Sequence, residues 1–268
     1  MNWKKASLFG RSLPVSLLAG FLMLGMGSIG PTRAIAQAPA PQSGADAQIQ
    51  ADLTHSLNNK RLHGVSVQVA NGVVVLTGSV QNLEDKIDAG KKAQKVHNVA
   101  SVQNQIQVEG PTVSDEELRN KLLTKLFYDR EGYPEHPFNA ITASVQNGIV
   151  TLGGLVVLPV DKESAESVVA EYPGVKGMID NIQVAPLSPN DNRIRQNVAN
   201  AIYNYQVFTR YKMDPGNPIR IIVLNGNVTL VGTVNNEGDK EQAYMRANGV
   251  PGVFKVTNSL QVEGQNEH

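Results

Sequence analysis

Asn71-Gly72-Val73-Val74-Val75-Leu76-Thr77-Gly78-Ser79-Val80 is the stretch on which the reading of this chain turns. It recurs as Asn147-Gly148-Ile149-Val150-Thr151-Leu152-Gly153-Gly154-Leu155-Val156 and as Asn225-Gly226-Asn227-Val228-Thr229-Leu230-Val231-Gly232-Thr233-Val234. Each copy opens on Asn-Gly, places apolar residues at offsets +3, +5 and +9, and has glycine at +7. Asp-Lys follows at +14 and +15 (Asp85-Lys86, Asp161-Lys162, Asp239-Lys240), alanine at +18 (Ala89, Ala165, Ala243) and valine at +37 (Val108, Val184, Val262). Repetition at fixed spacing marks scaffold, so function belongs where the copies differ.

The Asn-Gly pair supplies the two positive-φ residues of a type I′ turn and predicts a hairpin. Its first strand alternates, as Val65, Val67 and Val69 or Ile219, Ile221 and Val223, and its second carries the repeated apolar series. Glycine at +7 breaks the alternation and predicts a bulge or a close backbone approach. Upstream, Ile49, Leu53 and Leu57 share a spacing of four with Leu118, Leu122 and Leu126 and with Ile194, Val198 and Ile202, the signature of one buried helix face. Asp46, Asp115 and Asp191 stand three residues ahead, where a carboxylate caps free backbone N–H groups; Ser114 is an alternative cap in the second copy. A second helix is predicted over 83–96, 161–172 and 238–250, followed by turns such as Pro173-Gly174 and Pro251-Gly252 and a last short strand. The predicted fold class is α+β: three tandem αββαβ domains, each with two helices packed on a three-stranded mixed sheet and a right-handed crossover. The domains are placed at 46–110, 115–186 and 191–264, with boundaries at Gly110-Pro111 and at the run from Ala185 to Pro189.

Residues 1–36 read as a signal peptide, with Lys4, Lys5 and Arg11 leading, an apolar stretch from Leu13 to Met26, and Ala34-Ile35-Ala36 as the cleavage site. The competing reading is an uncleaved anchor, since Ser12 to Thr32 is uncharged, but Pro14 and the glycines there make a poor spanning helix. Residues 37–45 read as a disordered lead. The mature product is thus expected to be periplasmic or secreted. Losing Lys4, Lys5, Arg11 and Arg33 leaves 20 basic against 24 acidic residues, a balance that argues against a nucleic-acid partner. The chain has no cysteine, which excludes disulfides and thiolate metal sites. Domains of about 70 residues are marginal alone, so neighbours are expected to pack on one another.

The series Gly-x-Val-x-Leu-x-Gly-x-Val, the alanine-bearing helix and the closing Val-x-Asn-x-Ile-x-Val resemble the BON domain, across all three repeats. The resemblance implies the same αββαβ fold. It also implies an exported, non-catalytic protein that contacts phospholipid surfaces or another envelope component. The alternative it implies is a periplasmic chaperone; a third reading is a structural module docking through its sheet edges.

The copies differ between the first helix and the hairpin. From first helical apolar residue to Asn-Gly the distance is 22 residues in copy one, 29 in copy two and 31 in copy three. The two longer segments hold Phe127, Tyr128, Tyr133 and Phe138, then Tyr203, Tyr205, Phe208 and Tyr211, eight of the eleven aromatics beyond residue 36. Such rings suit a membrane–water boundary or a protein interface, and they equally suit a seal between small domains. With Arg210 and Lys212 beside them, the third-copy rings are the lipid candidates. The second copy, with six basic and eleven acidic residues, suits a protein partner instead. These ten residues form the expected lipid- or partner-binding site. No catalytic or metal site, cofactor or small-molecule substrate is expected. His55, His63, His97, His136 and His268 lack ligand spacing, and Glu116-Glu117 and Asp129-Arg130-Glu131 read as a helix start and a solvated loop. Gly153-Gly154 leads into no phosphate-binding Gly-Lys-Ser/Thr.

Overall fold

The computed structural model describes residues 44–133, 135–213 and 219–264. The expected signal peptide lies outside the described residues.

The first unit runs α1 (Gly44–Leu57), β1 (Val65–Ala70), β2 (Val73–Val80), α2 (Leu83–Gln94), β3 (Ser101–Asn104) and β4 (Gln107–Val108). The second repeats it as α3 (Asp115–Tyr128), β5 (Ala140–Gln146), β6 (Ile149–Val156), α4 (Pro159–Glu171), β7 (Gly177–Asp180) and β8 (Gln183–Val184). The third comprises α5 (Pro189–Tyr203), a short α6 (Thr209–Met213), β9 (Arg220–Leu224), β10 (Asn227–Val234), α7 (Glu237–Asn248) and β11 (Lys255–Val262). This is an α+β fold of three repeated units with a separate mixed sheet in each.

The central strand of every sheet pairs antiparallel with the strand before it and parallel with the strand after the second helix. The parallel register is the same throughout: Val73 faces Ser101, Ile149 faces Gly177 and Asn227 faces Lys255, 28 residues on in each case. β3 and β4 keep one register on β2, so they are a single interrupted strand that β11 makes continuous. All three corners have the positive φ that a type I′ turn requires, from 50° to 54° at the asparagines and from 73° to 77° at the glycines.

Glycine at +7 marks a close approach. A Cβ on Gly78 would lie 2.0 Å from the Gly64 carbonyl oxygen, and one on Gly154 2.0 Å from that of Ala140. Only a residue without a side chain lets the outer strand begin there.

The predicted helix faces are core: Ile49, Leu53, Leu57, Leu118, Leu122, Leu126, Ile194, Val198 and Ile202 are all buried. Each unit has its own interior, but neighbours lend to it. Leu83 of α2 is buried in the core of the second unit, and Phe138, in a 3-10 turn at His136–Phe138, is buried in that of the third. Small units thereby gain apolar burial that none could supply alone.

The recurrent Asp46, Asp115 and Asp191 do something other than the expected helix capping. Each sends both carboxylate oxygens to the amides of its own hairpin corner: Asp46 to Asn71 and Gly72 (3.0 and 2.8 Å), Asp115 to Asn147 and Gly148 (2.6 and 2.9 Å), Asp191 to Asn225 and Gly226 (2.9 and 2.8 Å). The helix caps themselves are Ser114 and Ser188, whose hydroxyls accept from the amides of Glu117 and Asp191.

Candidate functional site

The segment between first helix and first strand is built around an ion pair in every unit. The aspartate at +14, buried at the start of the second helix, meets an arginine from that segment: Arg61–Asp85 at 3.2 Å, Arg130–Asp161 at 2.5 Å and Arg210–Asp239 at 3.1 Å. Buried carboxylates require such partners, because desolvating one without compensation is costly. Asp161 also accepts from the Leu158 amide at 3.2 Å, closing the first turn of α4. The aspartates were visible in the repeat; their arginines were not.

The third-copy aromatics are organised inward. Phe208 is fully buried, with Tyr205 and Tyr211 at ring-centroid distances of 6.1 and 5.9 Å. Tyr211 is also buried; its hydroxyl donates to Asp239 (2.6 Å) and accepts from the Asn235 amide (2.8 Å). Burial, then that bond to Asp239, raises the Tyr211 pKa and keeps the phenol a neutral donor. Tyr203 packs against the core and donates to the Ile219 carbonyl at 2.5 Å, and burial raises its pKa as well. Tyr205 is covered by the Arg246 guanidinium, 3.4 Å from its ring centroid. Arg210 is held by Asp239, and Lys212 is exposed. Four rings expected to meet lipid or a partner are thus packed on or within their own domain, where they secure the longer insertion.

The second-copy segment is split. Phe138 is buried in the neighbouring core, whereas Phe127, Tyr128 and Tyr133 are 37%, 48% and 52% exposed. Arg130 stacks over the Tyr133 ring at 4.0 Å while it pairs with Asp161. The loop is fastened by His136, whose Nε2 lies 2.7 Å from the Phe127 carbonyl oxygen. A carbonyl only accepts, so this nitrogen carries a proton. Burial first, and then the charge of Arg220, lower the His136 pKa, which keeps the ring neutral near pH 7.

Behind this loop, between the second and third units, lies a cavity of about 260 Å³. Leu123 and Leu126 of α3, Ile141 and Ala143 of β5, and Val231 of β10 line it, with Arg220 of β9 at one wall. Arg220 is the first residue of β9. Its role as a buried bridge between two domains left no local signal.

Among the described residues, no group of three or more His, Asp or Glu is placed to hold a metal ion. None of their helices is long and apolar enough to cross a membrane.

No curated protein matches the chain. Among solved structures it is similar to the C-terminal domain of CdsD, the structural protein of the type III secretion system of Chlamydia trachomatis. That similarity is 18% identity over 79% of this chain and 96% of the other, with a TM-score of 0.21. A further CdsD structure from the same organism gives 16% identity over 80% and 92%, with a TM-score of 0.23. Superposition that loose bears on neither ligand nor partner. The BON domain model matches three times, at residues 45–110, 114–186 and 190–264. With nearly all of the described chain accounted for by three matches, the protein belongs to the BON domain family.

Proposed function

We propose that the chain is an exported, non-catalytic binding protein of the cell envelope, and that it docks on a protein partner through the exposed aromatic corner of its second domain. One observation carries the choice of partner. Of the eight insertion aromatics, those most open to solvent are Phe127, Tyr128 and Tyr133, in the copy with six basic and eleven acidic residues. Asp129, Glu131 and Glu135 stand among them, and a surface of that sign is repelled by anionic headgroups. The more basic third copy offers less than its composition promised: Arg195 and Arg220 are buried, and Arg210 is paired. Exposed aromatics within an acidic rim suit a partner with a basic surface, since rings anchor interfaces and rim charge steers encounter. Export to the periplasm or beyond follows from the sequence of residues 1–36.

The test places a benzophenone amino acid at Tyr128 or Tyr133 of the full chain in its native envelope. Irradiation is expected to give one discrete protein adduct from both positions and none from Lys91, an exposed residue of the first domain. A smear of many adducts would point instead to a chaperone. Co-sedimentation with phosphatidylglycerol vesicles that is lost in Tyr128→Ser/Tyr133→Ser would point to lipid, and either result overturns the proposal.

A further inference from the structure

The cavity between the second and third domains is not needed by that docking surface, and its chemistry is different. Three arginines and two aspartates line it. Arg130 is neutralised by Asp161, and Asp129 accepts from the Ser164 hydroxyl at 2.9 Å. Arg119 is exposed and reaches Asn120. That leaves Arg220, 6% exposed, which meets no carboxylate among the described residues. One guanidinium nitrogen, Nη1, donates to the His136 carbonyl. The other, Nη2, donates a long 3.5 Å hydrogen bond to the Phe127 carbonyl and lies 3.4 Å from His136 Nε2, with the guanidinium carbon 5.9 Å from the Phe127 ring centroid. Because that nitrogen already carries the proton it gives to Phe127, donor faces donor there, and among the described residues the one acceptor of Nη2 stands at the long end of hydrogen-bond range.

A buried cation without a carboxylate partner is costly unless something completes it. Guanidinium stays charged and presents its N–H groups in a plane that matches an oxyanion. The remaining wall is apolar, from Leu123, Leu126, Ile141 and Val231. A volume near 260 Å³ falls below the ~300 Å³ at which pockets for drug-sized ligands begin, and above the ~150 Å³ that admits benzene. We propose that this cavity binds a small amphiphile, a medium-chain monocarboxylate, with the carboxylate on Arg220 and the alkyl chain against α3 and β5. Three arginines against two aspartates leave one net positive charge on the wall, which matches one negative charge and favours a carboxylate over a dianionic phosphate ester. The molecule is a ligand bridging two domains, not a substrate.

Calorimetry on the mature chain with octanoate, acetate, octanol and octyl phosphate tests both halves of the site. Octanoate is expected to bind one to one, with acetate and octanol at least tenfold weaker, since each lacks one half. Amide shifts should move at Ile141 and Val231 and not in the first domain. Arg220→Met is expected to lose at least tenfold in affinity. Should that variant fail to fold, Leu123→Trp decides, because it fills the alkyl end and leaves the arginine in place; it is expected to abolish binding while retaining the far-UV spectrum. Octanoate that fails to bind, or that binds Leu123→Trp as well as the parent, overturns the proposal. So does octyl phosphate binding more tightly than octanoate.

Discussion

Asp191→Ala is expected to lower the stability of the third domain by about 3–5 kcal/mol, measured as a shift in its urea midpoint at neutral pH. The side chain is buried, and its two oxygens hold the amides of Asn225 and Gly226 at 2.9 and 2.8 Å. Hydrogen bonds to a charged group contribute roughly 1.5–3 kcal/mol each, and both amides lose their acceptor at once. The same truncation leaves Arg195, buried one turn along α5 and bonded to the Val223 carbonyl, without the nearby negative charge that favours its charged form. Asp191→Asn keeps one acceptor oxygen and is expected to fall between the two. Tyrosine fluorescence is the convenient probe: the only tryptophan is Trp3, outside the three domains, and the first domain has no aromatic residue, so the tyrosine signal reports on the other two. Hydrogen exchange at the Gly226 amide should quicken in the variant, and the equivalent Gly72 amide should not change. A midpoint shift below ~1 kcal/mol, or equal deprotection at Gly72, would mean that the carboxylate does not clamp the corner.

That corner separates what sequence reasoning reaches from what it does not. Asn-Gly with flanking alternation specifies a hairpin locally, so Asn71, Asn147 and Asn225 were legible as turn residues and have the φ expected of them. Asp46, Asp115 and Asp191 were legible as recurrent carboxylates, but local reasoning assigned them to their own helices. Their partners lie 25 to 35 residues away, and they meet only because the helix start is seated over the hairpin. The ion pairs show the same limit. Asp85, Asp161 and Asp239 keep a fixed place in the repeat, whereas Arg61, Arg130 and Arg210 precede them by 24, 31 and 29 residues. Insertion has shifted each arginine in sequence while geometry has held it in space. Phe138 and Leu83 go further, since each is buried in a neighbour's interior, and no periodicity within one copy encodes that. The insertions were correctly singled out as the divergent segments, but exposure there depends on which unit packs beside them.

Phe208→Ala draws the sharpest line between an interior and a contact role for the third insertion, and it is expected to cost about 3–5 kcal/mol of stability. Phe208 is fully buried, among the largest side chains with no exposure, and packs with Tyr205 and Tyr211. Truncation removes a whole ring and leaves a cavity whose walls include the phenol that bonds Asp239, so closing it would disturb that hydrogen bond. The loss should appear in the third domain first, as early melting of the β9–β10 hairpin amides. It should then pass to the second domain, because Phe138 is anchored in the same core and leaves it when that core opens. The first domain, whose own core cluster holds no residue of its neighbours, is expected to be affected least, through Leu83, which leaves the second core when that core opens. By contrast Tyr128→Ser, at a ring 48% exposed, should move the midpoint by no more than ~0.5 kcal/mol. If Phe208→Ala instead melted like the parent while losing affinity for vesicles or clients, the third insertion would be a contact surface, and the assignment of binding to the second domain would fall with it.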